Sequence, residues 1–133
     1  MATGMSEMSE STTRRMLRVK DALDRDFAGS WDSARLARVG LASPTHLRRS
    51  FRSAFGESPH AYLCRRRIER ACRLLRSTDL SVTDIARAVG YESLGTFTRR
   101  FVRMVGETPT RHRARGPLPG IPSCFAREAA RPR

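Results

Sequence analysis

The sequence predicts an all-α fold: seven helices, forming two helix-turn-helix lobes joined by a long linker helix. Three observations carry this reading. Apolar residues recur at helical spacing, and no stretch reads as a strand. Helix starts and stops are punctuated by Ser-Pro, Thr-Pro and Gly. One pattern is also written twice. Ala37-Arg38-Val39-Gly40, Leu47-Arg48-Arg49-Ser50-Phe51 and Gly56-Glu57-Ser58-Pro59 form the first copy. Ala86-Arg87-Ala88-Val89-Gly90, Phe97-Thr98-Arg99-Arg100-Phe101 and Gly106-Glu107-Thr108-Pro109 form the second. Each copy is a short helix, a tight turn and a longer Arg-bearing helix, the layout of a helix-turn-helix.

The elements follow in order. Residues 1–12 read as a disordered N-terminal segment. Met16, Val19, Leu23 and Phe27 give a first helix over 13–27, stopped by Gly29. Asp32 is an N-cap candidate for a second helix over 33–39, ended by Gly40. Ser43-Pro44 opens a third helix, 44–55, with Leu47, Phe51 and Phe55 on one face and Gly56 as its stop. Ser58-Pro59 opens the linker helix, which runs to about Arg76 with Tyr62, Ile68, Ala71, Leu74 and Leu75 inward. At 1.5 Å per residue it is about 27 Å long.

Ser81-Val82-Thr83-Asp84 resembles a capping box and opens a fifth helix, ended by Gly90. Ser93 caps a sixth, 94–105, stopped by Gly106, and Thr108-Pro109 opens a seventh to about Ala114. Pro117, Pro119 and Pro122 forbid regular structure beyond it. The domain reading is therefore lobe one 13–57, linker helix 58–77, lobe two 78–115, and a flexible tail 116–133.

The charge says what such a fold meets. Lys+Arg is 26 against Asp+Glu 13, a net charge of +13. A chain this basic is drawn to polyanions. Lys20 is the only lysine, so the cations are almost all arginine, whose planar fork suits guanine edges and phosphates. GC-rich codon usage is the better account of the Arg-to-Lys ratio, but it does not explain the net charge. Cys64, Cys72 and Cys124 form no CxxC pair, which argues against a disulfide framework or a zinc site and for a reducing cytoplasm. His46, His60 and His112 show no ligand spacing, so no metal and no cofactor is expected. No apolar run is long enough for a membrane span.

Ile85-Ala86-x-x-Val89-Gly90-Tyr91-x-Ser93-x-x-x-Phe97-x-Arg99-x-Phe101, continued by Gly106-x-Thr108-Pro109-x-x-x-Arg113, resembles the signature of the AraC/XylS family of bacterial transcription regulators. The first copy, Leu36-Ala37 to Tyr62-Leu63, fits as well, as does Arg67-x-x-x-Ala71-x-x-Leu74-Leu75. The resemblance covers about residues 14–115. It implies a sequence-specific, non-enzymatic DNA-binding regulator acting on double-stranded DNA in the nucleoid, with RNA polymerase as a further partner. Its two recognition helices would enter successive major-groove segments. A complete chain of this length would resemble the short stand-alone members that bind as monomers, and a fragment is the competing explanation.

The resemblance also assigns residues. Base contact is carried onto Thr45, Arg48 and Arg49 in the first copy, and onto Leu94, Gly95, Thr96 and Arg99 in the second; His46, exposed beside them, joins the base-reading set. Arg49 and Arg99 hold the same place in the repeat and are the principal guanine readers expected. Arg52, Thr98, Arg100 and Arg103 are assigned to phosphate. Arg65, Arg66, Arg70 and Arg73 fit a solvated face or ion pairs to Glu69 and Asp79 as well as they fit DNA contact, whereas Arg67 matches a family position and implies a bracing role between the lobes. Two departures stand out: His112 replaces the usual Tyr or Phe, implying a less firmly packed last helix, and Gly95 removes a side chain from the reading surface. The alternative function is a non-specific nucleoid-associated or nucleic-acid-binding protein. An attached DNA-repair enzyme would need a domain or a Cys cluster for which this chain has no room.

Overall fold

The structure, a computed structural model, describes residues 9–117. They form seven helices and no strand. In chain order these are α1 Glu10–Arg25, α2 Ser33–Gly40, α3 Pro44–Phe55, α4 Pro59–Ser77, α5 Val82–Ala88, α6 Leu94–Val105 and α7 Pro109–Arg113. The cap residues explain most boundaries. The Asp32 carboxylate accepts from the Arg35 amide at 2.8 Å. The hydroxyls of Ser43, Ser58, Ser81, Ser93 and Thr108 accept from the amide three residues on. Each satisfies one orphan N–H of a helix start. Gly56 and Gly106 close α3 and α6 in the left-handed region, at φ 82° and 91°.

Two expectations need correction. Helix α1 starts earlier than the apolar pattern suggested, because Ser9 caps it and accepts from the Thr12 amide. Residues 9–12 are thus cap and first turn rather than disordered, while 1–8 lie outside the described residues. Nor does Gly40 stop α2. It is helical, and the left-handed residue is Leu41, at φ 51° and exposed. A Cβ on Gly40 would lie 2.5 Å from Leu47 Cδ1 and 3.0 Å from Val19 Cγ2. Gly40 is small so that α2 can approach α3 and α1. Its repeat counterpart Gly90 does carry the positive φ, at 104°.

The chain divides into two compact units between Leu63 and Cys64, so α4 is shared rather than separate. In the first unit α1, α2 and α3 pack on one another. Met16, Val19, Leu23, Trp31, Leu36, Leu47 and Phe51 form its core, closed by Tyr62 and Leu63 from the start of α4. Phe51 meets Phe55 and Tyr62 edge-on at 4.7 and 5.9 Å. The Tyr62 hydroxyl donates to Asp24 at 2.5 Å, and the Trp31 indole N–H donates to the Asp26 carbonyl at 2.8 Å.

In the second unit α4 contributes buried Ile68, Ala71, Leu74 and Leu75, with Ile85, Ala86 and Val89 from α5 and its cap. An aromatic chain runs on from there. Tyr91 to Phe97, Phe97 to Phe101 and Phe101 to His112 are each separated by 5.6–5.7 Å between ring centroids. The expected tail begins here with Gly116 and Pro117, whose carbonyls accept from Arg76. Its remainder, 118–133 with Cys124, lies outside the described residues.

Candidate nucleic-acid interface

Helix α3 buries Leu47, Ser50 and Phe51 and turns its opposite side outward. Residues three and four apart share a helix face. Thr45, Arg49 and Arg52 therefore make one outward stripe, and all three are exposed. Exposed Arg48 flanks it and helps line a water-sized cleft with Ser33 and His60. His46 flanks it on the other side, with its Nε2 3.5 Å from the buried Ser50 hydroxyl. The first-copy candidates thus converge on one helix face, with Arg49 at its middle.

Helix α6 repeats the scheme on Phe97 and Phe101, both fully buried. Its outward stripe is Gly95, Arg99 and Val102, all exposed. It carries one cation where α3 carries two. Thr96 is half-buried; its hydroxyl accepts from Ser93 at 2.9 Å and from Arg99 Nη2 at 3.4 Å. Thr98 is half-buried on one flank, while Arg100 and Arg103 are exposed in line with Thr96. Arg100 points back along the flank, with its Nη1 3.6 Å from Cys64 Sγ. Cys64 in turn lies 3.2 Å from the Tyr91 hydroxyl. Burial, with that contact second, pushes the Tyr91 phenol well above its ordinary range.

The arginines of α4 behave differently. Arg65 and Arg66 both pair with Glu69 at 2.9 Å, as a solvated charged face would. Arg67 lies over the Tyr91 ring at 5.4 Å, a bracing contact inside the second unit.

The sequence reading missed what fastens α7. Arg113 donates from Nε to the Leu75 carbonyl at 3.0 Å and from Nη2 to the Leu80 carbonyl at 2.5 Å. Glu107 receives His112 Nδ1 at 2.9 Å and both Arg115 donors at 2.7 and 2.9 Å. Those bonds, Arg115 first and His112 next, hold the Glu107 carboxyl down to about 2. His112 stands edge-on to Phe101 and bonds Glu107 through Nδ1, while its Nε2 is buried with no hydrogen-bond partner among the described residues. The spacing Glu107-x₄-His112-x₂-Arg115 was readable, but a mixed acid-base triplet has no distinctive pattern. Among the described residues no group of three His, Cys, Asp or Glu is arranged to hold a metal ion. No described helix is long and apolar enough to cross a membrane.

Two capped helices, each presenting an arginine-bearing face from a small aromatic core, define the class: a DNA-binding domain of paired helix-turn-helix units. The family model described as "Helix-turn-helix domain" matches residues 36–115, more than half of the chain. The chain is 31% identical over 109 residues to the HTH-type transcriptional regulator ExsA of Pseudomonas aeruginosa, covering 82% of this chain and 39% of that protein. It is 37% identical over 97 residues to a putative AraC-like transcription regulator of Streptomyces lividans, covering 73% and 32%. Among solved structures, the DNA-binding domain of the global transcriptional factor AdpA, in complex with a target DNA, is similar with a TM-score of 0.73. That match is 29% identical and covers 76% of this chain and 91% of that one. The chain belongs to the AraC family of helix-turn-helix proteins. It spans about two fifths of ExsA and a third of the Streptomyces protein.

Proposed function

We propose that this protein is a sequence-specific transcription regulator that inserts α3 and α6 into successive major-groove segments of double-stranded DNA. The observation that carries it is the equivalence of the two helices. Arg49 and Arg99 stand two residues before the buried Phe51 and Phe101 and are both exposed. An arginine fork matches the O6 and N7 acceptors of guanine, which the major groove displays. Thr45, His46 and Arg48 extend the reading face of α3; Leu94, Gly95 and Thr96 extend that of α6. Arg52, Thr98 and Arg103 are assigned to phosphate contacts that set the register, and Arg100 can join them by swinging away from Cys64. With two reading helices in one chain, a single copy can occupy a site. Acting on the bacterial nucleoid, it would alter RNA polymerase use of the promoters it marks.

A random-oligonucleotide selection tests this. A regulator should enrich one motif and hold it at least about 10³-fold better than random DNA at physiological salt. Uniform affinity for all sequences would overturn the reading in favour of a non-specific nucleic-acid-binding protein. Mass measurement of the complex should give one copy per site.

A further inference from the structure

Gly95 looks at first like a lost base contact. Its surroundings say otherwise. A Cβ at this position would meet Arg99 Nη1 at 3.5 Å, ordinary contact distance. The Arg99 guanidinium therefore lies back along the helix over Gly95, as helical side chains lean toward their N-terminus. Its other terminal nitrogen rests on the Thr96 hydroxyl at 3.4 Å, and Ser93 holds that hydroxyl in turn at 2.9 Å. The glycine leaves a seat, and Ser93 and Thr96 fix its edge. A long side chain at 95 would occupy the space the fork uses.

Leu94 precedes Gly95 in the chain, at the first position of α6. It is 44% exposed. A single exposed leucine means little by itself. Here it occupies the end of a recognition helix that approaches base edges first. The apolar feature of the major groove is the thymine C5-methyl group; guanine offers the paired acceptors.

We propose that α6 reads a two-base-pair step, with the seated Arg99 fork on a guanine and Leu94 against the C5-methyl of the neighbouring pyrimidine. This rests on the DNA-binding reading above. It makes the second half of the site a methyl-dependent one. A 5-methylcytosine carries the same methyl as thymine and would satisfy Leu94.

The test uses the full chain and the site selected above. Every thymine is replaced in turn by deoxyuridine, which removes only the methyl, and every guanine by 7-deazaguanine, which removes N7. In the parent, one deoxyuridine should weaken binding about threefold to tenfold, next to a guanine whose 7-deaza form weakens it about tenfold. Leu94→Ala should abolish the first effect alone, and Arg99→Ala the second. At the methyl-sensitive position, cytosine should bind weakly and 5-methylcytosine should recover part of the loss. Gly95→Gln, a helix-favouring change, should melt no lower than the parent yet lose the 7-deaza effect, while Gly95→Ala should retain it. A selected site indifferent to deoxyuridine throughout, or a methyl effect that survives Leu94→Ala, overturns the inference and leaves the regulator reading standing. Retention of the 7-deaza effect in Gly95→Gln overturns the seat. Failure to select any site overturns both readings.

Discussion

Gly40→Ala should destabilise the first unit, although alanine is the better helix former. On propensity alone the exchange gains about 1 kcal/mol inside a helix. The new methyl, however, would lie 2.5 Å from Leu47 Cδ1 and 3.0 Å from Val19 Cγ2. Carbon atoms prefer about 3.5–4.0 Å, so the overlap with Leu47 is roughly 1 Å. Both neighbours belong to the core, Leu47 at 2% exposure and Val19 at 0%, and cannot retreat into solvent. Overpacking of this kind costs about 1–3 kcal/mol. The net loss is then about 1 kcal/mol, or about 4–8 °C in melting temperature for a unit of this size. Trp31 is the only tryptophan and lies in the same core, so its fluorescence reports this unit's melting. Leu41→Asn is the opposing control. Leu41 is the non-glycine residue at positive φ among those described, and it is 63% exposed. Asparagine tolerates that conformation and should raise the midpoint by a few degrees. A Gly40→Ala protein melting at or above the parent would refute the argument.

Four further outcomes follow from the structure. Phe51→Ala or Phe101→Ala should each cost about 3–5 kcal/mol, read as lost helical circular dichroism on heating, because both rings are fully buried in small cores. Glu107 has its folded carboxyl held at about 2 against an ordinary 4.5, so its contribution is present above about 4.5 and is lost as pH falls toward 2. Acid melts of Glu107→Gln should therefore lose that part of the parent's pH dependence. Affinity for the selected site should fall about 10³–10⁵-fold between 50 and 200 mM salt if roughly 6–10 phosphates are neutralised; a flat titration would count against DNA. Arg49→Ala should cost about 1–3 kcal/mol at the selected site and relax one base preference, whereas Arg103→Ala should weaken all sequences alike. With Thr45, His46, Arg48 and Arg49 exposed on α3 against Leu94 and Gly95 on α6, α3 should supply more base discrimination than α6.

The helices were legible because their ends are chemically marked. Asp32, Ser43, Ser58, Ser81, Ser93 and Thr108 each cap as their residue type suggests. The stripes on α3 and α6 were legible because Phe51 and Phe101 fix the phase of each helix. What could not be read were effects that depend on neighbours distant in sequence. Gly40 looks like a stop until Leu47 and Val19 are brought against it. Gly95 looks like a vacancy until Arg99 folds over it. Ser9 looks like part of a polar leader, since a cap has no apolar pattern of its own.

The way Arg113 is used sets an order on synthesis. Helix α7 has five residues, too few to persist alone. It stands because Arg113 reaches the carbonyls of Leu75 and Leu80, and because His112 rests on Phe101. Until those residues leave the ribosome, one side of Phe101 has no cover and the carbonyls past α4 have no donor from the chain. The core of the first unit draws no side chain from beyond Leu63. A nascent chain halted between these points would carry one finished reading helix, α3, and a second half still waiting for its clasp.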